Sequence, residues 1–77
     1  MKIKEVFFDK DTMYVRLTNG VVIGNPIDWY KRLAQATPKQ REAYTIGHWG
    51  DDIRWEAIDE DISLSGVLRA IDYEKAA

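Results

Sequence analysis

Tyr14-Val15-Arg16-Leu17-Thr18-Asn19-Gly20-Val21-Val22-Ile23-Gly24-Asn25-Pro26 is the stretch that decides the fold. Two β-prone runs flank Asn19-Gly20, the strongest short hairpin signal, because both central residues of a type I′ turn need positive φ. Pro26 lacks a backbone donor and closes the second run. Read as a two-residue loop, Asn19-Gly20 sets Thr18 opposite Val21, Leu17 opposite Val22 and Arg16 opposite Ile23. Upstream, Lys2 to Asp9 is equally rich in β-branched and aromatic residues, and Asp9-Lys10-Asp11 supplies a second turn. That turn sets Phe8 opposite Met13, Val6 opposite Val15 and Glu5 opposite Arg16. The two turns define one antiparallel meander, with Val6, Phe8, Met13, Val15, Leu17 and Val22 on the expected core face. A Glu5–Arg16 cross-strand ion pair is expected on the other face.

That other face also carries Ile3, Phe7, Tyr14 and Ile23, more apolar than a solvated face would be. Either the C-terminal part of the chain covers it or a partner does.

Beyond Pro26 the pattern turns helical. Trp29, Leu33 and Ala36 fall at i, i+4 and i+7 over Asp28 to Gln35. Thr37-Pro38 ends that helix and starts another, with Thr37 as N-cap, Pro38 in the first turn and Gln40 completing a capping box. Tyr44 to Trp55 mixes β-prone residues with Gly47, Gly50 and Asp51-Asp52, which leaves two short strands or an ordered loop open. Ser63 then reads as an N-cap, with Ile62 placed to staple against Val67. Leu64, Val67, Leu68 and Ile71 form an amphipathic stripe. The tail from about Tyr73 is expected to fray. The fold class is therefore α+β, one domain over residues 1–77: a three-stranded antiparallel meander, two short middle helices, a loop with optional short strands and a C-terminal helix.

Composition narrows the function. The chain has 77 residues, no cysteine, and 11 Lys+Arg against 13 Asp+Glu for a net charge of −2. Bulk-charge nucleic-acid binding is not expected of an acidic chain. No apolar run approaches the roughly 18 residues of a membrane span, and Lys2-Ile3-Lys4-Glu5 puts an acid where a signal peptide would be apolar. A cytoplasmic location is expected, with no cofactor and no enzymatic activity. Residues 1–50 carry net +3 and residues 51–77 net −5, a bipolar distribution that suits protein–protein pairing, self-pairing included.

Chemistry-bearing residues are sparse. His48 is the sole histidine, with Asp51 and Asp52 nearby, and a small metal-dependent enzyme around it is one reading. A loop histidine in solvent is the simpler one. Asp59-Glu60-Asp61 lacks the spacing of a calcium loop and suits the positive end of the following helix. Lys31, Arg32, Lys39 and Arg41 cluster beside Trp29 and Tyr30, which would make a DNA-contacting patch for a transcription-associated accessory, yet no reader motif surrounds them. Trp29 and Trp55 are expected in the core and Trp49 in an exposed loop. The candidate interaction surface is thus Ile3, Phe7, Tyr14, Ile23 and Trp49, for a homodimer or a cognate protein.

Two longer patterns resemble a known family. They are Asn19-Gly20 followed by Pro26-Ile27-Asp28-Trp29-Tyr30-x-x-Leu33 and Ala36-Thr37-Pro38-x-Gln40-Arg41, then Gly47-x-x-Gly50-x-x-Ile53-x-Trp55-x-x-Ile58-Asp59-Glu60-Asp61-Ile62-Ser63. The sequence resembles domain-of-unknown-function family 2442, small bacterial proteins with a compact α+β fold. The resemblance implies no catalytic residues and a structural role for Pro26, Trp29, Leu33, Trp55, Asp59, Glu60 and Asp61. Some members carry the domain ahead of a helix-turn-helix. Others stand alone beside a second small protein and have been proposed as antitoxins. A sequence ending at Ala77 is expected to be of the stand-alone kind.

Overall fold

In the computed structural model the first hairpin follows the register read from the sequence. β1 (Ile3–Phe8) and β2 (Thr12–Leu17) pair antiparallel with Glu5 opposite Arg16, Val6 opposite Val15 and Phe8 opposite Met13. The Asp9 carboxylate closes the turn by accepting from the backbone N–H groups of Asp11 at 3.0 Å and Thr12 at 2.9 Å. The structure describes residues 1–76, with side chains described through Ile71, so the expected fraying from Tyr73 lies outside the residues described in full.

The second hairpin differs by one residue. β3 (Val22–Pro26) pairs with β2 so that Arg16 opposes Val22 and Val15 opposes Ile23. The loop has three residues rather than two. The Leu17 N–H donates to the Val21 carbonyl at 2.8 Å, and the Gly20 N–H donates to the Leu17 carbonyl at 2.9 Å. Only Gly20 is left-handed, at φ +90°, while the Asn19 side chain accepts from the Val21 N–H at 3.1 Å. This is the alternative hairpin in which a glycine bulge follows an ordinary turn. A one-residue slip exchanges the faces of a strand. Ile23 is therefore buried and Val22 is exposed, the reverse of the expectation.

Ile3 is also buried, because a bulge at Lys4 resets β1 so that Ile3 faces Leu17. Its N–H donates to the Gly50 carbonyl at 2.8 Å, tying the start of β1 to the second half of the chain.

The middle of the chain is more broken than a single helical stripe. A 3-10 turn at Ile27–Trp29 leads into the short helix α1 (Lys31–Ala34), with Tyr30 extended between them. Helix α2 (Pro38–Glu42) carries the complete Thr37–Gln40 capping box. A second three-stranded antiparallel sheet then forms from β4 (Thr45–Ile46), β5 (Asp52–Trp55) and β6 (Glu60–Ser63). Asp59-Glu60-Asp61 thus leads into and begins a strand rather than directly preceding a helix. Ser63 does cap the final helix α3 (Leu64–Ala76), its hydroxyl accepting from the Gly66 N–H at 3.1 Å.

One apolar cluster joins both sheets and α3: Ile3, Val6, Met13, Val15, Leu17 and Ile23 meet Ile53, Trp55, Ile62 and Val67. Trp55 is the largest fully buried side chain. Its indole N–H donates to the Arg41 carbonyl at 2.9 Å, which ties α2 to the core. Among the described residues no buried side-chain nitrogen or oxygen lacks a hydrogen-bond partner.

Candidate functional site

The outward face of the N-terminal sheet is built on the β1–β2 ladder. Phe7 and Tyr14 are direct cross-strand partners, and their rings stack with centroids 5.2 Å apart and planes 17° from parallel. Cross-strand aromatic pairs of this kind stabilise a sheet. The next row holds the Arg16–Glu5 ion pair at 2.6 Å, and the Arg16 guanidinium also lies 5.5 Å from the Phe7 ring centre. Phe7 remains 38% exposed and Val22, at the end of the same row, 39% exposed. The Tyr14 hydroxyl donates to Asp9 at 2.6 Å. That bond, aided by the Asp11 N–H, holds the Asp9 carboxyl below its ordinary value, while the neighbouring carboxylate pushes the Tyr14 phenol up.

Of the five residues expected on the interaction surface, Phe7 and Tyr14 lie together on this face. Ile3 and Ile23 are core residues, displaced by the Lys4 bulge and the three-residue loop. Trp49 is 70% exposed on the loop between β4 and β5, edge-on to His48 at 4.8 Å between ring centres. His48 is exposed, and among the described residues no group of three or more His, Cys, Asp or Glu is placed to hold a metal.

The four cations near Trp29 are spent differently from a phosphate-binding patch. Arg41 donates to the carbonyls of Leu33 and Ala34, each at 3.0 Å, capping the end of α1. Arg32 donates to the Asp59 carbonyl at 2.8 Å. Lys31 and Lys39 are exposed. Trp29 is half-buried against the core, and the Arg69 guanidinium sits 4.7 Å from its ring centre.

The acid cluster is organised around Arg54. This residue meets Asp59 at 2.8 Å, Glu56 at 2.9 Å and Asp61 at 3.9 Å, and it lowers the Asp59 carboxyl below its usual value. Asp59 itself adopts left-handed backbone at φ +52°, ending the 3-10 turn Glu56–Ile58.

Two surface grooves flank the N-terminal sheet. The larger, about 560 Å³, runs between β1 and α2 past Val6, Phe8, Pro38 and Arg41. The smaller, about 270 Å³, lies between β3 and α3 and is lined by Val21, Val22, Ile23, Gly24, Ala70 and Ile71. Sequence reasoning missed Val21, Val22 and Ile71 as surface residues. For Val21 and Val22 the one signal is the Val21-Val22-Ile23 run, whose face depends on the loop length, while Ile71 belongs to the expected apolar stripe of the last helix.

Comparison with known proteins places this geometry among uncharacterised relatives. No curated protein matches the chain. A crystal structure of a protein of unknown function from Rhodospirillum rubrum ATCC 11170 is similar with a TM-score of 0.75 at 27% identity, covering 88% of this chain and 84% of that one. A family described as "Protein of unknown function (DUF2442)" matches residues 3–73. The match covers nearly the whole chain, which therefore belongs to the DUF2442 family.

Proposed function

We propose that the chain is a protein-binding module whose contact surface is the outward face of the N-terminal sheet. The observation that supports this is the pre-stacked Phe7–Tyr14 pair with Arg16 over it, Phe7 exposed and Tyr14 half-buried on the β1–β2 ladder. Aromatic residues and arginine dominate binding hot spots, and a side chain already fixed before binding loses little entropy on docking. The DNA-accessory and metal-enzyme readings have no comparably assembled group behind them.

A small protein encoded beside this chain is the first partner to try, which would make the module antitoxin-like. Light scattering of the two proteins mixed should give a stoichiometric complex. Phe7→Ala should weaken it by at least about tenfold, since a single aromatic anchor carries more than about 1.4 kcal/mol at a hot spot. No complex removes the cognate-partner reading, and a complex indifferent to Phe7→Ala moves the contact off this face.

A further inference from the structure

We infer that the chain self-associates through the outer edge of β3, which borders the Phe7–Tyr14 face at Val22 and Gly24. The ladder fixes which groups point outward. The Leu17 N–H bonds the Val21 carbonyl, and antiparallel alternation then sends the N–H and C=O of Val22 and Gly24 away from β2. Pro26 has no N–H and limits the usable edge to those two residues.

The opposite edge of the sheet is tied down at two of its positions. At β1 the Ile3 N–H bonds the Gly50 carbonyl, and the Tyr44 hydroxyl accepts from the Val6 N–H at 3.0 Å. The exposed Lys4 on that strand discourages further pairing. Among the described residues β3 has no such tie. Of the exposed large apolar residues Met1, Phe7, Val21, Val22, Trp49 and Ile71, three line the one groove beside it.

The occupant that fits is a second copy. Val21 to Pro26 contains no charged residue, so laying the strand antiparallel against itself sets no like charges face to face. The nearest cation on the outward face, Arg16, is neutralised by Glu5 at 2.6 Å. With a two-fold axis at Ile23, Val22 exchanges both backbone hydrogen bonds with Gly24 of the partner subunit. The same axis runs the sheets together and brings the two α3 helices side by side, covering Ala70 and Ile71. Self-pairing of one patch about a two-fold is the commonest closed assembly.

The test is sedimentation from low micromolar to millimolar concentration, with amide exchange followed by NMR. A concentration-dependent dimer is expected, in which the Val22 and Gly24 N–H groups become slow to exchange. Val22→Lys, at an exposed site that tolerates a charge, should raise the dimer Kd at least about tenfold while circular dichroism stays unchanged. A monomer throughout the range overturns the inference. So does a dimer in which Val22 and Gly24 exchange as fast as in the monomer, or one that Val22→Lys leaves intact. These results are read on the chain alone and the Phe7→Ala test on its mixture with a second protein, so the two proposals fail separately.

Discussion

Asn25 is the one fully buried polar side chain among the described residues, and it holds α3 onto the sheet. Its amide donates to the Val67 carbonyl at 3.1 Å, and its carbonyl accepts from the Tyr30 hydroxyl at 2.7 Å. Tyr30→Phe removes only the hydroxyl. The Asn25 oxygen then loses its donor in a site closed to water, which costs about 1–3 kcal/mol. Asn25→Ala loses both bonds and opens a small void, for about 2–4 kcal/mol. A chain of this length has a total stability of roughly 4–12 kcal/mol. Each kilocalorie lost lowers Tm by about 4–8 °C. Urea unfolding followed by tryptophan fluorescence, to which the buried Trp55 contributes, measures both variants and the double variant. Since both single changes break the same bond, their effects should fall short of additive by about 1 kcal/mol. Amide exchange along the first turns of α3 should rise in parallel. A Tyr30→Phe loss under about 0.5 kcal/mol, or simple additivity, would refute the view that this clamp sets the α3–β3 groove.

Gly50 is left-handed at φ +70°, and a Cβ there would lie 2.9 Å from the Lys2 Cβ. Gly50→Ala should therefore cost about 1–3 kcal/mol in a thermal melt, and a neutral result would mean that the β1–Gly50 junction is not rigid. The Asp9–Tyr14 latch should titrate at both ends. The depressed Asp9 value gives stability that is present above the ordinary carboxylate range and lost as pH falls through the folded value. The raised Tyr14 value gives stability that is present below the ordinary phenol range and lost as pH rises through the folded value. NMR should place Asp9 below the ordinary carboxylate value and Tyr14 above the ordinary phenol value, with Tyr14→Phe moving Asp9 back up. An Asp9 midpoint unmoved by Tyr14→Phe sinks that account.

How far the sequence could be read depended on whether a decision was local. The Asp9-Lys10-Asp11 turn closes on its own side chain, so the first hairpin's register is legible from Glu5 to Phe8. The Thr37–Gln40 box is equally self-contained. Asn19-Gly20 serves a two-residue and a three-residue loop alike, and only the core decides between them. Because Val21, Val22 and Ile23 are all apolar and β-branched, the hydrophobic pattern is degenerate under the one-residue slip and does not by itself turn Val22 outward. Ile3 departs from the expected face because its bulge answers to Gly50, far along the chain. β6 was hidden because Asp and Glu are poor strand formers. Its compensation comes from Arg54, which faces Asp61 across the ladder. The Trp29-Leu33-Ala36 stripe is interrupted at Tyr30, whose extended backbone lets its hydroxyl reach Asn25.

The charge asymmetry along the sequence, net +3 then −5, looks like the means by which partners are chosen. In the folded chain much of it is consumed internally: Arg54 among Glu56, Asp59 and Asp61, Arg16 on Glu5, Arg41 and Arg32 on backbone carbonyls. What remains on the two candidate surfaces is mainly apolar: Phe7 and Tyr14 on one, Val21, Val22 and Ile71 on the other. Exposed ion pairs are screened by salt, whereas apolar burial is not weakened by it. Association through either surface should therefore hold its Kd within a few-fold as ionic strength rises from low to several times physiological. Contact through Lys31 and Lys39 would instead lose orders of magnitude in affinity for DNA over the same range. A salt titration of whichever complex forms separates the two, and a steep loss of affinity would return the basic helices to the centre of the problem.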